Sequence, residues 1–163
     1  MFRFLLLMMV SSYCLSCNDF TEEELSSHPI HVGDIKADIK IDDPNFKPCD
    51  HKIHQHYNFK STYRGEKPAI IAHFSEKLNS GILKKENGYI SIRFLVNCKG
   101  ETGRYRVKGM DFDYKVKKFD QPTVKQLLSL TKKLDGWPAF ENFNYYQNIT
   151  FKIVNSQIEE ILT

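Results

Sequence analysis

The chain has 163 residues, 41% of them hydrophobic and 26% charged, with a formal net charge of +3. That length makes one domain the default and supplies enough apolar residues for a core without a structural metal or a dense disulfide framework. The charge balance is too small to argue for nucleic acid or for a strongly anionic membrane patch, so nucleic-acid binding is set aside.

Arg3 gives a positive start, residues 4–10 form an uninterrupted apolar run, and Ser11, Ser12 and Ser16 lead to Cys17, the layout of a cleaved export signal. The run is too short to span a bilayer, which takes about 20 apolar residues. Leu15-Ser16-Cys17 resembles the lipobox of bacterial lipoproteins. The resemblance implies a signal over residues 1–16 and a lipid anchor on Cys17, the first residue of the mature chain. The leucine sits one place closer to the cysteine than usual, and Cys14 stands where leucine is expected. Plain secretion and an uncleaved buried segment stay open as alternatives. Processing there leaves 147 residues and a charge of +2. The expected location is the bacterial cell envelope, membrane-anchored and facing the periplasm or the cell surface. Cys49 and Cys98 remain as a candidate disulfide in a compartment that permits oxidation, the alternative being two buried free thiols.

Residues 17–45 are expected to comprise the acylated start, a polar tether rich in acid at Asp19 and Glu22 to Glu24, and an extra strand. In the strand, Ile35, Ala37, Ile39 and Ile41 alternate with Lys36, Asp38 and Lys40. Acidic residues just behind a lipidated cysteine also resemble a surface-display signal of some bacterial groups. Asp42 to Asn45 make a turn. Pro68 opens a helix over 67–80 with Ile70, Ile71, Phe74 and Leu78 at helical spacing and Gly81 as its stop. Ile90, Ile92, Phe94 and Val96 then alternate with Tyr89, Ser91, Arg93 and Asn97 in a strand whose even positions face the core. A turn at 98–101 returns residues 104–108 antiparallel with Tyr105 and Val107 inward. Asp120 is the expected N-cap of a second helix carrying Val124, Leu127, Leu128, Thr131 and Leu134 on one face, with Pro122 just inside and Gly136 at its end. Ile149, Phe151 and Ile153 alternate in a third strand, and Ile158, Ile161 and Leu162 add a last apolar contact.

The segments GYISIRFLVNCKGETGRYRV, VKQLLSLTKKLDGWPAF and ITFKI follow each other as hairpin, helix with Trp137-Pro138, and strand. In that order they resemble the C-terminal domain of TonB-family proteins. The likeness runs from about Pro68 to Ile153, roughly half the chain. It implies an α+β unit over residues 46–163, with a small antiparallel three-stranded sheet and two helices packed on one face. The Tyr-Pro pair usual before the first strand is replaced by Ile82-Leu83-Lys84-Lys85, and no proline-rich spacer precedes the unit. An acyl anchor and a short tether do not suit energy transduction between two membranes. What the resemblance implies instead is a sheet edge able to accept a strand from an envelope protein or peptide. In the family the strand equivalent to residues 149–154 makes that pairing, with Thr150, Lys152 and Val154 turned away from the core to select the partner. Protection of this edge by another part of the chain, with residues 35–41 as the candidate, is the alternative.

Trp137, Phe140, Phe143, Tyr145 and Tyr146 form an aromatic cluster that suits either a peptide- or glycan-binding patch or packing over the end of the second helix. His51, His54 and His56 with Asp50 bring imidazoles together as zinc or copper ligands would be. No single regular conformation presents all three, and an exposed polar loop is the competing reading. No nucleophile turn, phosphate loop or His-Glu-x-x-His pattern is present, so no enzyme and no cofactor is expected. Three roles follow: a lipid-anchored interaction module, a metal-binding envelope lipoprotein, and a purely structural envelope component.

Overall fold

A computed structural model describes residues 34–49, 53–55, 63–79, 81, 83 and 86–163. The signal, Cys17 and the acidic tether lie outside these residues. The elements in chain order are β1 (Ile53–Gln55), α1 (Glu66–Lys77), β2 (Gly88–Val96), β3 (Thr102–Met110), α2 (Gln121–Thr131), β4 (Asn144–Val154) and β5 (Gln157–Leu162). The protein is α+β, with one mixed sheet of five strands.

Period-two alternation builds the sheet's centre. Ile90, Ile92, Phe94 and Val96 of β2 are fully buried on one face, and opposite them β4 places Phe151, Ile149, Gln147 and Tyr145. The hairpin β2–β3 turns at Gly100, whose φ of +80° suits glycine and whose missing Cβ leaves room for the Trp137 carbonyl. Asn97 shapes this turn, its Oδ1 accepting from the Lys99 and Glu101 amides. A bulge in β3, with Arg104 at φ 52°, shifts the register between Arg93 and Leu95. The helices α1 and α2 lie over this buried face, inserting Ile70 and Phe74 from one and Leu127 and Leu130 from the other.

Both helices are shorter than their periodicity predicts. α1 ends at Lys77, because Leu78 turns extended and still packs on the core, so Gly81 is not its stop. α2 ends at Thr131, and Leu134 is buried from the irregular segment beyond it. Asp120 occupies the N-cap position in an extended conformation, but its side chain bonds no helix amide. The carboxylate of Glu86, from just before β2, accepts the Asp120 amide at 2.7 Å instead. It sits at the positive end of the helix, 3.7 Å from the Lys117 ammonium, which is why a nearly buried glutamate is stable there.

The sheet differs from the predicted three strands in ways that depend on its ends. β1 pairs parallel with the start of β4, Ile53 opposite Asn144 and Gln55 opposite Tyr146. β4 itself begins at Asn144, five residues before the alternation at Ile149. β5 folds back on β4 through Asn155 and Ser156, both at positive φ, the turn that matches the twist of paired strands. Residues 35–41 are not a strand. Only Ile35 of the alternating set is buried, while Ile39 and Ile41 are 97% and 63% exposed, and residues 39–41 form a turn.

Residues 34–49 instead form a strap across the sheet face turned away from the helices. Ile35 packs there with Leu95, Tyr146, Phe46 and Ile53. Gly103 leaves space for Phe46, since a Cβ at that position would lie 2.3 Å from the ring. The strap ends at a disulfide between Cys49 and Cys98, with Cα atoms 5.8 Å apart. The Cys49 amide also bonds Asn144 Oδ1 at 3.0 Å.

Candidate functional site on the second face of the sheet

The register lays the second face out in rows across β3, β2 and β4. Met110, Tyr89 and Lys152 form one row, then Lys108, Ser91 and Thr150, then Arg106, Arg93 and Asn148, then Gly103, Leu95 and Tyr146. The strap covers the last of these rows. Among the described residues no element covers the first two.

Strap and face are joined mainly through arginine. Arg106 donates to both carboxylate oxygens of Asp42, at 2.7 and 2.9 Å, and to the Lys36 carbonyl at 2.7 Å. Arg104 reaches the Ile35 carbonyl at 3.3 Å. The Ile35 amide donates to the Tyr146 hydroxyl at 2.9 Å, and that hydroxyl faces Asp34 at 3.3 Å. Burial raises the Tyr146 pKa, which keeps the phenol protonated. The Arg93 guanidinium stacks 4.3 Å from the Tyr146 ring centre and bonds Gln55 at 3.2 Å.

The hydrogen bond from Arg106 holds the Asp42 carboxyl below its ordinary 3.8, against the opposing effect of burial. A lowered folded value means the stabilisation is complete above the unfolded pKa and disappears as pH falls through the folded one. The Asp42 resonance in an NMR titration is therefore expected to have its midpoint below 3.8, with the strap loosening over the same interval. At neutral pH, Asp42→Asn should raise tryptic cleavage at Lys36 and Lys40 about tenfold, since it removes one charged hydrogen-bond acceptor from Arg106. A midpoint at or above 3.8 would contradict the pairing.

In the uncovered rows the polar groups of β2 and β4 satisfy one another. Ser91 donates to Asn148 Oδ1 at 2.7 Å, Asn148 donates to Thr150 at 2.9 Å, and Thr150 returns to Ser91 at 3.0 Å. Lys152 is paired with Glu159 of β5. The Lys108 ammonium stands apart, with no hydrogen bond or ion pair among the described residues, and desolvation lowers its pKa. At the end of the face, Phe112 and Tyr114 from the turn after β3 pack on Tyr89, their centroids 5.7 and 5.6 Å from its ring. These two rings are 45% and 57% exposed. The turn is fixed by Asp111, whose carboxylate accepts the Asp113 and Lys115 amides at 2.9 Å.

The predicted binding positions divide. Thr150, Lys152 and Val154 do face away from the core, but their strand edge is occupied by β5, with Thr150 opposite Leu162 and Val154 opposite Gln157. The edge expected to accept a partner strand is therefore already paired within the chain, and β5 rather than residues 35–41 is what covers it. Trp137, Tyr145 and Tyr146 do not form an exposed patch either, being 7%, 0% and 1% exposed. Trp137 packs against Tyr63 and Phe94, and Tyr145 sits in the core with its hydroxyl on the Pro138 carbonyl at 2.7 Å. Burial moves the Tyr145 phenol far above its ordinary pKa. His54 lies in β1 with its ring 4.6 Å from Phe143, while His51 and His56 lie outside the described residues. Among the described residues no group of His, Cys, Asp and Glu side chains gathers as metal ligands would.

Sequence reasoning placed Tyr89 and Ser91 on the outward side of β2 but attached no role to them, and it passed over Lys108, Phe112, Tyr114 and Asn148. The available signal was Phe112 and Tyr114 themselves, large rings in a turn where no period assigns them to a core. No protein-family model, curated protein or solved structure matches the chain.

Proposed function

We propose that the protein is a lipid-anchored interaction module of the bacterial cell envelope, fastened through Cys17 and docking a peptide or protein partner on the second face of its sheet. Its role is binding, without catalysis. The export-type start and the Leu15-Ser16-Cys17 sequence support the location. A TonB C-terminal-like ancestry is supported by the order of hairpin, helix and a strand returning antiparallel beside β2. The observation that carries the docking surface is the exposed ring pair Phe112 and Tyr114 on Tyr89, one row from Lys108, whose ammonium has no partner among the described residues. Aromatic rings are enriched where proteins meet, and a lysine at their margin belongs to the polar rim of such a surface.

A photoreactive benzoylphenylalanine in place of Tyr114 should capture a partner in envelope preparations, while the same group at Ile71 on α1 should capture none. Equal capture from both positions, or none from Tyr114, would remove this face as the docking surface. Mass spectrometry of the mature N-terminus tests the anchor separately, an acylated Cys17 being the expected result.

A further inference from the structure

The chain already holds one acidic, non-helical segment on this face. Residues 34–43 carry Asp34, Asp38, Asp42 and Asp43 against two lysines. Arg106 binds Asp42 through both oxygens, and the main chain is held at Ile35 and Lys36 by Arg104 and Arg106. A planar guanidinium on a carboxylate is specific for charge and for geometry at once. The strap shows how this face takes an acidic chain.

Lys108 is the next residue along β3 on the same side as Arg106, so the two cationic groups repeat at about 7 Å, the spacing of alternate residues in an extended peptide. Arg106 is engaged, whereas the Lys108 ammonium has no partner among the described residues. Lys108 is half-buried and its charge is partly desolvated, which strengthens its attraction for a carboxylate that reaches it. Beside it the closed ring of Ser91, Asn148 and Thr150 has its hydroxyl protons engaged, leaving oxygen lone pairs to accept main-chain amides. Phe112 and Tyr114, packed on Tyr89 of the adjoining row, add exposed apolar surface.

We propose that the uncovered rows bind an acidic, extended peptide segment of the partner, with one carboxylate on Lys108 and an apolar side chain against Tyr114. This rests on the docking role above and names what docks. The strap serves as its intramolecular counterpart, occupying the Arg106 half of the face while the Lys108 half takes the second chain.

The test uses the full chain in detergent and fluorescence anisotropy with labelled ten-residue peptides, one alternating Asp and Thr and one alternating Asn and Thr. The Asp peptide should bind at least tenfold more tightly than the Asn peptide. Lys108→Gln should reduce Asp-peptide affinity about tenfold, Lys108→Arg should restore most of it, and Lys118→Gln on the neighbouring loop should leave it unchanged. Equal affinity for the two peptides, or indifference to Lys108→Gln in a variant that melts like the parent, overturns the proposal. Tighter, Lys108-dependent binding of polygalacturonate also overturns it, by assigning the face to an acidic glycan. Capture of a partner from Tyr114 alongside failure of the Asp peptide would leave the docking surface in place and reject only its acidic selectivity.

Discussion

Removing the disulfide with the paired substitution Cys49→Ser and Cys98→Ser is expected to cost about 4 kcal/mol of folding stability. The bridge closes a loop with a sequence separation of 49, and the chain-entropy model assigns a loop of that length about this much. For a domain of this size the melting temperature should fall by roughly 10–15 °C. The effect should be distributed unevenly. The strap keeps its links through Arg104, Arg106 and Tyr146, but loses the covalent join that fixes its end to the β2–β3 turn. Residues 34–46 should then open more often than the sheet does, and hydrogen exchange at their amides should rise more than at β2 or β4. Reducing the parent protein with dithiothreitol should reproduce both changes. A melting point within 2 °C of the parent would show that the bridge contributes little beyond the packing of Ile35 and Phe46.

Phe151→Ala is expected to cost about 3–5 kcal/mol, the usual range for deleting a fully buried phenylalanine. Phe151 lies in the middle of β4 with no exposure, across from Ile90 on β2 and Ile161 on β5. Its ring meets that of Phe74 at 4.8 Å, nearly edge to face, so one side chain ties α1 to three strands. Truncation leaves a cavity bordered by several elements, which is hard for any one of them to fill. Phe151→Leu keeps most of the volume and should cost about 1.5 kcal/mol or less. Phe112→Ala, at an exposed ring, should stay within about 0.5 kcal/mol. Urea denaturation with a shared slope separates the three. A small loss for Phe151→Ala would mean that the helices close onto the sheet more readily than the packing implies.

These two effects belong to opposite faces of the sheet, and the faces have different origins in the chain. The helix-covered face was legible beforehand. Alternation in β2, the hairpin turn at Gly100 and the apolar stripe of α2 are local patterns, each readable within about a dozen residues. They identified Ile90, Ile92, Phe94, Leu127 and Phe151 as core, and all five are buried.

The second face was not legible in the same way. Tyr145 and Tyr146 are neighbours on one strand, so their side chains leave on opposite sides and periodicity expects one of them to be outward. Both are buried, Tyr145 under the helices and Tyr146 under a strap more than 100 residues away in sequence. The outward residue of an alternating strand is exposed only when nothing else in the chain returns to cover it, and no local pattern reports that return. The same holds for the edge of β4. Its residues carry the expected alternation, yet whether the edge stays open depended on a six-residue strand beyond the Asn155-Ser156 turn. Asn155-Ser156 makes that turn at positive φ without a glycine, so the residues lack the usual signal of a two-residue hairpin.

Local periodicity thus located the hairpin and the second helix, Cys49 and Cys98 stood out as pairing candidates, and the order of the elements carried the resemblance that implied the α+β class. Those features depend on neighbours in the chain, and their patterns survive without knowledge of the fold. Long-range pairing decided the rest: which strand edges are covered, which aromatic rings are buried, and that Lys108 lies one row from the Tyr89 ring on which Phe112 and Tyr114 pack, in rows that no other described element covers. The physical reason is that burial is a property of two surfaces, and only one of them is present in any short stretch of sequence.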